Sequence, residues 1–231
     1  MSEGPLISII VPVLDEAAAI GDQLDRLALL TGRWQVIVVD GGSRDETCEI
    51  ASRHSSRPLV LGAPAGRALQ MNAGACAAAG EALLFLHADT QLPADAHASL
   101  SRALADRSTL GGNFALRFDG GDRFSRLLGV WYALQRRSGV YYGDSAIWLR
   151  PSVFEQLGGF RPLAVMEDYD LARRLRRAGR TVCLAGPAVT SARRWRRLGL
   201  PRTIASWVAI RWLFLAGVSP QRLARLYPDV R

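Results

Sequence analysis

The sequence predicts an α/β fold in which a mostly parallel central sheet is flanked by helices. Short apolar runs alternate with amphipathic segments through the first half of the chain, a pattern typical of strands and helices in turn. The runs are apolar at nearly every position, as in strands that are covered on both faces. Polar residues follow each run, and right-handed crossovers bring the carboxyl ends of parallel strands to one edge. Open sheets of this kind bind ligands at that edge.

The predicted elements follow one another within a single domain of 231 residues, a length that suits one large core. In the first half, strands are predicted at Leu6–Val13, Gln35–Asp40, Leu59–Leu61 and Ala82–Leu86, and helices at Glu16–Leu30, Asp45–His54, Gly66–Ala79 and Ala94–Ala105. In the second half, strands are predicted at Asn113–Phe118, Ala146–Leu149 and Thr181–Leu184, and helices at Phe124–Arg136 and Glu167–Ala178.

Charge is distributed unevenly along the chain. All 29 basic residues are Arg, which excludes Schiff-base chemistry on lysine and a P-loop lysine. Residues 1–170 carry 15 Arg against 20 acidic residues, whereas residues 171–231 carry 14 Arg against Asp229 alone. This asymmetry indicates a polyanion, an anionic membrane surface or an acidic substrate near the C-terminal part, with a solvated basic face as the alternative.

The cysteines and the apolar segments indicate the cellular compartment of the protein and its relation to the membrane. The three cysteines are far apart and form no CxxC pair, so we expect no structural zinc and a reducing cytoplasm. The N-terminal apolar run lacks a basic flank and is too short for a signal peptide. Residues 203–218 are apolar but shorter than a membrane span and are interrupted by Arg211. An interfacial helix giving peripheral membrane contact, or a helix packed against the core or a dimer partner, fits this segment.

Polar side chains follow all four N-terminal strands. They are Asp15 and Glu16, then Asp40 and Asp45, then Arg67, then His87 and Asp89. His87 and Asp89 are two residues apart, and in an extended strand such residues point the same way. Asp15 or Asp45 alone would read as a helix cap, but four loops that meet at one edge favour a binding pocket.

The order and wording of these loops resemble those of the family-2 glycosyltransferases, which are GT-A-type enzymes that use nucleotide-activated sugars. The resemblance rests on IIVPVLDEAAAI, VVDGGSRDET, GRALQMNAGACAAAGEALLFLHADT, GDSAIWLR and MEDYDLARRLRRAGR, from about Leu6 to Leu184. His-Ala-Asp-Thr and Gly-Arg-Ala-x-Gln-Met-Asn look closest to a small bacterial subgroup associated with radical-SAM gene neighbourhoods. The resemblance implies a GT-A fold with a nucleotide-sugar half (residues 1–110), an acceptor half (111–185) and an Arg-rich helical C-terminal extension (186–231).

The resemblance also implies roles for single residues on the nucleotide side. Pro12, Val13, Asp15 and Glu16 would contact the nucleotide, Asp40 would hydrogen-bond the base with Asp45 nearby, and Arg67 matches a basic residue on the nucleotide side. The family's Asp-x-Asp is here His87-Ala88-Asp89, so its final Asp alone is kept. Asp89 would bind Mn²⁺ or Mg²⁺ together with diphosphate oxygens, while His87 would contact ribose or ligate the metal.

On the acceptor side, Glu167-Asp168 matches the family's acidic pair, and Asp168 is the expected general base of an inverting displacement. Asp168 also begins a predicted helix, where a carboxylate stabilises the helix dipole whatever else it does. Asp144 and Trp148 are expected near the acceptor, although core packing is an alternative for the tryptophan. Arg194 would bind the diphosphate through its planar guanidinium, or belong to a surface patch.

Other classes of protein fit the sequence less well. No glycine-rich loop follows the first strand, which argues against nucleotidyltransferases and Rossmann enzymes. Gly143-Asp144-Ser145 has no His after it in the chain, which argues against an esterase triad. The expected function is transfer of one sugar from a nucleotide-diphosphate sugar, UDP first and GDP second, to a small-molecule or lipid acceptor. The alternative is an inactive relative that binds a polyanion or a membrane; nucleic-acid binding is not expected, because aromatics do not interleave with the arginines.

Overall fold

The computed structural model describes residues 4–137, 139–192 and 199–226. Eight strands lie at Ile7–Val13 (β1), Trp34–Asp40 (β2), Leu59–Gly62 (β3), Ala82–Phe85 (β4), Thr90–Gln91 (β5), Thr109–Phe118 (β6), Trp148–Leu149 (β7) and Arg180–Thr190 (β8). The helices of this part are Ala17–Ala28 (α1), Thr47–Arg53 (α2), Arg67–Cys76 (α3), Ala96–Ala105 (α4), Arg123–Arg137 (α5), Pro151–Gln156 (α6), Glu167–Ala178 (α7), Leu200–Leu215 (α8) and Pro220–Leu226 (α9). A 3₁₀ turn spans Gly143–Ser145.

The strands form one sheet in the order β3-β2-β1-β4-β7-β6-β8-β5. The half made of β3, β2, β1 and β4 is entirely parallel, as predicted. The other half is mixed: β7 runs antiparallel to both β4 and β6, β8 is parallel to β6, and β5 is antiparallel to β8. The expectation of a mostly parallel sheet is therefore correct for the N-terminal half and too simple for the whole.

The second half departs from the predicted boundaries. β6 begins four residues earlier than predicted, at Thr109. β8 continues through Pro187 to Thr190, with a shift in register where the proline lies, so residues 186–190 belong to the sheet and not to a helical extension. Proline and glycine within this stretch hide its strand character, because both residues are unfavourable in strand interiors.

The core lies on both faces of the sheet. On β1, Ile7, Ile9 and Val11 face a layer that includes α1 and α4, whereas Ile10 faces the opposite layer with α3, α6 and α7. This alternation with apolar contacts on both sides explains why the N-terminal strands are apolar at nearly every position. The parallel strands are thereby held so that their carboxyl ends meet at one edge.

A separate aromatic cluster holds the C-terminal helices against the segments around Tyr142 and Tyr169. Tyr142 stacks on Tyr169 with ring centroids 5.4 Å apart, and Trp207 of α8 meets Tyr142 edge-on at 4.5 Å. Phe214 of α8 also contacts Tyr169 at 6.1 Å. In the ranges that the structure describes, no helix is both long and apolar enough to cross a bilayer.

Candidate functional site

Hydrogen bonds join the loop after β1 to the loop after β2, and the predicted site residue Asp15 takes part in them. Asp15 has a left-handed backbone (φ 54°), and its Oδ1 accepts a 2.8 Å hydrogen bond from the amide of Arg44. The amide of Asp15 in turn donates to Oγ of Ser43 at 2.9 Å. The strained conformation of Asp15 is thus held by contacts from the neighbouring loop, as is common at functional sites. The Asp15 side chain remains exposed beside the edge.

Asp40 ends β2 and shapes the loop that follows it. Its buried carboxylate accepts a hydrogen bond from the amide of Gly42 at 2.8 Å and others from the amide and hydroxyl of Ser43. Burial alone would raise the pKa of Asp40, but these hydrogen bonds outweigh it and lower the pKa below its ordinary value. The carboxylate is therefore ionised, and its predicted contact with the base stays a prediction.

Asp45 and Glu16 lie where two helices begin. One oxygen of Asp45 accepts from the amide of Ala17 at 3.0 Å, at the start of α1, and the other accepts from the amide of Thr47 at 3.0 Å, at the start of α2. The amide of Glu16 donates to Oγ1 of Thr47 at 2.8 Å. The helix-capping alternative for Asp45 is thus observed, and its contact with the nucleotide stays a prediction.

The side chain of Val13 is buried in the core, and the predicted contact of this residue with the nucleotide stays a prediction. That side chain is 2% exposed and belongs to the core, while the Val13 carbonyl accepts hydrogen bonds from the amide of Gly41 at 2.9 Å and from Nε2 of Gln70 at 2.7 Å. Pro12, by contrast, is half-buried and stays a candidate.

Gln70 lies in the Gly-Arg-Ala-x-Gln-Met-Asn motif, but the sequence alone predicts no role for it. Its Nε2 also donates to the carbonyl of Val39 at 2.9 Å, so one buried amide joins the ends of β1 and β2. In the same motif, the side-chain amide of Asn72 accepts from the amide of Phe160 at 2.9 Å and donates to its carbonyl at 2.8 Å. Gly-Arg-Ala-x-Gln-Met-Asn is therefore a structural motif that fixes both halves of the edge. Gln70 is buried and Asn72 half-buried in α3, and such polar side chains must find hydrogen-bond partners.

The segment after β4 is a turn and not an extended strand. The amide of Thr90 donates to the carbonyl of His87 at 3.1 Å, with Ala88 buried in the core and Asp89 exposed. The expectation that His87 and Asp89 lie in an extended strand and share its face is therefore wrong, because β4 ends at Phe85 and a turn follows. Both still lie at the edge: Asp89 acts electrostatically on Asp144, and His87 lies beside Gly143.

His87, Gly143 and Asp168 converge from three separate segments. The amide of Gly143 donates to Oδ2 of Asp168 at 2.6 Å. A Cβ atom built on Gly143 would lie 2.8 Å from Nε2 of His87 and 3.1 Å from Oδ2 of Asp168. Only a residue without a Cβ allows these two side chains to approach the same backbone. Asp168 also accepts from the amide of Tyr169 through its Oδ1 at 2.6 Å, which fixes the plane of its carboxylate.

Glu167 begins α7 next to Asp168. Its side chain is 8% exposed, and its Oε1 lies 4.0 Å from Nη1 of Arg67. Burial and the negative charge of Asp168 raise the pKa of Glu167 to about 7, against the lowering effect of Arg67. Met166 precedes this pair with φ 68°, a conformation unusual for methionine that directs the chain into α7. The structure thus brings together both members of the predicted acidic pair and the predicted basic residue.

Asp144 joins the same group through the 3₁₀ turn. Burial raises the pKa of Asp144 to about 7, with further contributions from the charges of Asp168 and Asp89 and an opposing effect from Tyr132 and Arg67. Four carboxyl groups therefore lie close together, and the positive charge of Arg67 opposes their mutual repulsion. We call Asp89, Asp144, Glu167 and Asp168 the carboxylate cluster.

The donor set at this edge fits a divalent metal shared with a substrate. Within residues 4–137, 139–192 and 199–226, no group of three or more His, Cys, Asp or Glu is arranged to hold a metal ion. A lone carboxylate such as Asp89 suits Mg²⁺ or Mn²⁺ that takes its other ligands from phosphate oxygens and water. The mutual repulsion within the carboxylate cluster also favours a cation beside it.

Three further residues lie away from the carboxylate cluster or outside the described part of the chain. Trp148 is fully buried in β7 between Leu84 of β4 and Gly112 of β6, so the core-packing alternative is observed. Arg194 lies outside the described residues. Asp170 is structural: it pairs with Arg161 at 3.2 Å and with Arg174 at 2.8 Å.

The fold belongs to a structural class with solved members. It is similar to that of the mannosyltransferase PcManGT from Pyrobaculum calidifontis, solved in complex with GDP-Man and Mn²⁺, with a TM-score of 0.63 and 23% identity. The match covers 82% of this chain and 57% of that one. A likeness at this identity establishes a GT-A-like α/β fold.

The family follows from the sequence comparison. The model for glycosyl transferase family 2 matches residues 8–165, and the chain belongs to that family. It is 38% identical over 94 residues to the PGL/p-HBAD biosynthesis glycosyltransferase of Mycobacterium tuberculosis, which is 38% of this chain and 37% of the relative. It is 30% identical over 158 residues to an undecaprenyl-phosphate 4-deoxy-4-formamido-L-arabinose transferase of Pseudomonas aeruginosa, which is 63% of this chain and 46% of the relative. The matched region is less than half the length of either relative.

Proposed function

We propose that the protein is an inverting glycosyltransferase that moves one sugar from a nucleotide-diphosphate sugar to an acceptor hydroxyl. The observation that carries the proposal is the convergence of Asp168, Gly143 and His87 beside the other members of the carboxylate cluster. Family membership supplies the reaction class, and the alternative of an inactive relative is less favoured, because an intact acidic pair faces Arg67 at the sheet edge.

Asp168 is the proposed general base. Its carboxylate removes the proton of the acceptor hydroxyl while the oxygen forms a bond to the anomeric carbon and the bond to the diphosphate breaks. A carboxylate in hydrogen-bond reach contributes about 10²–10⁴-fold by this route. The two backbone amides that bind Asp168 hold it in one orientation, which contributes further by aligning the reactants.

Glu167 and Arg67 have supporting roles in this proposal. Glu167 is buried between Asp168 and Arg67, so its charge state sets the local field at the base. Arg67 is 47% exposed and begins α3, where its guanidinium reaches both the carboxylate cluster and the side on which a diphosphate would lie. We assign Asp144 to the acceptor side, because it lies in the same turn as Gly143.

The donor lies along the loops after β1 and β2, with Pro12, Asp15, Glu16 and Asp40 toward the nucleotide. UDP is the first candidate, because it is the family's commonest carrier, and GDP is the second. A divalent metal held by Asp89 would neutralise the charge of the departing diphosphate. The acceptor is a small molecule or a lipid.

Ligand-induced stabilisation tests this proposal. UDP, GDP, CDP and dTDP are each added with and without Mn²⁺ or Mg²⁺, and the Tm is recorded, because a ligand that binds the native state raises Tm by mass action. We expect a metal-dependent rise with one nucleotide in the wild type and in Asp25→Ala, an exposed acidic control, and none in Asp89→Ala. The absence of a rise with every nucleotide in a folded protein would refute the proposal.

A further inference from the structure

The outer face of α8 is apolar from its second turn onward. Its exposed residues recur at helical spacing, and the set from the second turn onward comprises Ala205, Ala209, Trp212, Leu213, Leu215 and Ala216. Trp212 is 61% exposed, although tryptophan is usually well covered in folded proteins. A helix with an apolar outer face as well as an apolar inner face needs a non-aqueous neighbour.

The outer face of α5 carries a second stripe of the same kind. Leu127, Val130 and Leu134 are 59%, 59% and 54% exposed, on the side of α5 opposite the buried Ser125, Leu128 and Tyr132. The two helices pack against each other through their inner sides, because the buried Tyr132 of α5 and Trp207 of α8 have ring centroids 6.2 Å apart and Arg211 of α8 hydrogen-bonds Gln135 of α5. We call these two stripes the apolar face.

Exposed arginines flank both stripes of the apolar face. Residues 123–137 and 199–226 contain no Asp or Glu. Arg123, Arg126 and Arg137 of α5 are exposed, as are Arg202 before the α8 stripe and Arg222 and Arg225 of α9. A partner must therefore accept apolar side chains and supply negative charge around them.

This combination selects one kind of partner. A second copy of the chain, paired face to face, would set arginines against arginines, because a two-fold interface is self-complementary. Nucleic acid would satisfy the charge but has no apolar phase for Trp212 and the leucines. A bilayer with anionic headgroups supplies both, and tryptophan and arginine are favoured at its interface. We propose that the apolar face binds the surface of an anionic membrane, with α8 lying in the interface and not crossing it.

The position of the apolar face bears on the acceptor. The aromatic cluster of Tyr142, Tyr169 and Trp207 lies between α8 and the segments that carry Gly143 and Asp168. A membrane bound at α8 would place lipid headgroups on the acceptor side of the site. This consequence, a lipid acceptor, rests on the proposed function, whereas membrane binding does not.

Co-sedimentation with vesicles tests the inference on the full chain. Vesicles of phosphatidylglycerol and phosphatidylcholine are compared with vesicles of phosphatidylcholine alone. The variants are Trp212→Gln/Leu213→Gln on α8 and Leu127→Gln/Leu134→Gln on α5. The matched control is Leu29→Gln, which removes a leucine that is 83% exposed at the end of α1. We expect wild type and control to bind anionic vesicles, and each double variant to bind about tenfold to 100-fold more weakly, since a buried leucine is worth about 1.5–3 kcal/mol.

Three results would overturn the inference. They are equal binding to neutral vesicles, undiminished binding of both double variants, and light scattering that shows a dimer which the double variants dissolve. Nucleotide-induced Tm shifts are measured in parallel on every variant. Retained shifts show that the fold is intact, and because they do not involve the membrane, a failure of the proposed function is distinguishable from a failure of this inference.

Discussion

The backbone amide of Gly143 donates a 2.6 Å hydrogen bond to Oδ2 of Asp168, which joins the 3₁₀ turn after α5 to the first turn of α7. The bond restricts the rotation of the carboxylate and brings the proposed base to the place where His87 arrives from the end of β4. A glycine in this position is a requirement of geometry, because a Cβ would collide with one partner and crowd the other.

Gly143→Ala should lower the rate of transfer with little loss of donor binding. The added methyl would lie 2.8 Å from Nε2 of His87 and 3.1 Å from Oδ2 of Asp168, so both side chains must move away from the base position. We expect kcat to fall by about tenfold or more, because small misplacements of catalytic groups cost up to about 100-fold. The donor KM should change little. Gly129→Ala is the control, since a Cβ there meets nothing within 4 Å; equal effects of the two changes would contradict the assignment.

Asp168→Asn should reduce activity and Asp170→Asn should reduce stability, although the two residues lie in one helical turn. Loss of the base should reduce kcat by about 10²–10⁴-fold with nucleotide binding retained. Asp170 instead holds Arg161 and Arg174, so its substitution should lower the free energy of unfolding by about 3 kcal/mol, as for a broken buried pair. Steady-state kinetics and urea unfolding on both variants separate the roles. An inactive but stable Asp170→Asn would show that the base is assigned to the wrong carboxylate.

Glu167→Gln should stabilise the protein at high pH and not at low pH. The pKa of Glu167 rises from 4.5 to about 7 on folding, so the folded state holds a proton that the unfolded chain has lost over that range. Stability therefore falls as pH rises from about 4.5 through 7, because the native state binds more protons than the unfolded state. Glutamine removes this dependence.

The measurement for Glu167→Gln is Tm at pH 5 and pH 8. We expect the variant to exceed the wild type by a few degrees at pH 8, as about 1–2 kcal/mol produces in a domain of this size, and to match it at pH 5. Glu81→Gln, an exposed acidic position, serves as the control. A difference that is independent of pH would contradict a raised pKa at Glu167.

The sequence predicts the parallel half of the fold well and the mixed half poorly, for physical reasons. β1 to β4 are apolar on both faces and separated by amphipathic helices, so periodicity alone locates them. β7 has two residues and β8 contains Pro187, so neither carries a strand signal of its own, and both depend on partners far along the chain. The family's motif predicts the acidic pair. The role of Gly143, by contrast, depends on a hydrogen bond to Asp168, 25 residues further along the chain, which no local pattern encodes.

Gln70→Leu should loosen the edge on the nucleotide side. The side-chain amide of Gln70 donates to the carbonyls of Val13 and Val39, and leucine would leave both with one donor fewer in a buried site. We expect a loss of about 1–3 kcal/mol in the free energy of unfolding, together with weaker nucleotide binding. Gln156→Leu on the exposed side of α6 is the control. Urea unfolding and nucleotide-induced Tm shifts measure the two effects, and unchanged stability would show that these two bonds are dispensable.

His87→Asp would restore the residue that the family usually has two positions before Asp89, and it should separate metal binding from turnover. The carboxylate cluster already contains four acidic groups, and Asp144 and Glu167 respond to their neighbours with pKa values of about 7. A fifth negative charge should strengthen Mn²⁺ binding by about tenfold, since carboxylate oxygen is a preferred ligand of such cations. It should also lower kcat, because a short carboxylate no longer fills the space beside Gly143 that the imidazole occupies.

His87→Asn has the same size as His87→Asp without the charge, so it should share the loss in kcat but not the tighter metal binding. The concentration of Mn²⁺ that gives half-maximal activity, measured for all three proteins, decides the matter: an unchanged value in His87→Asp would mean that position 87 lies beyond electrostatic reach of the metal and that its role is confined to the acceptor side.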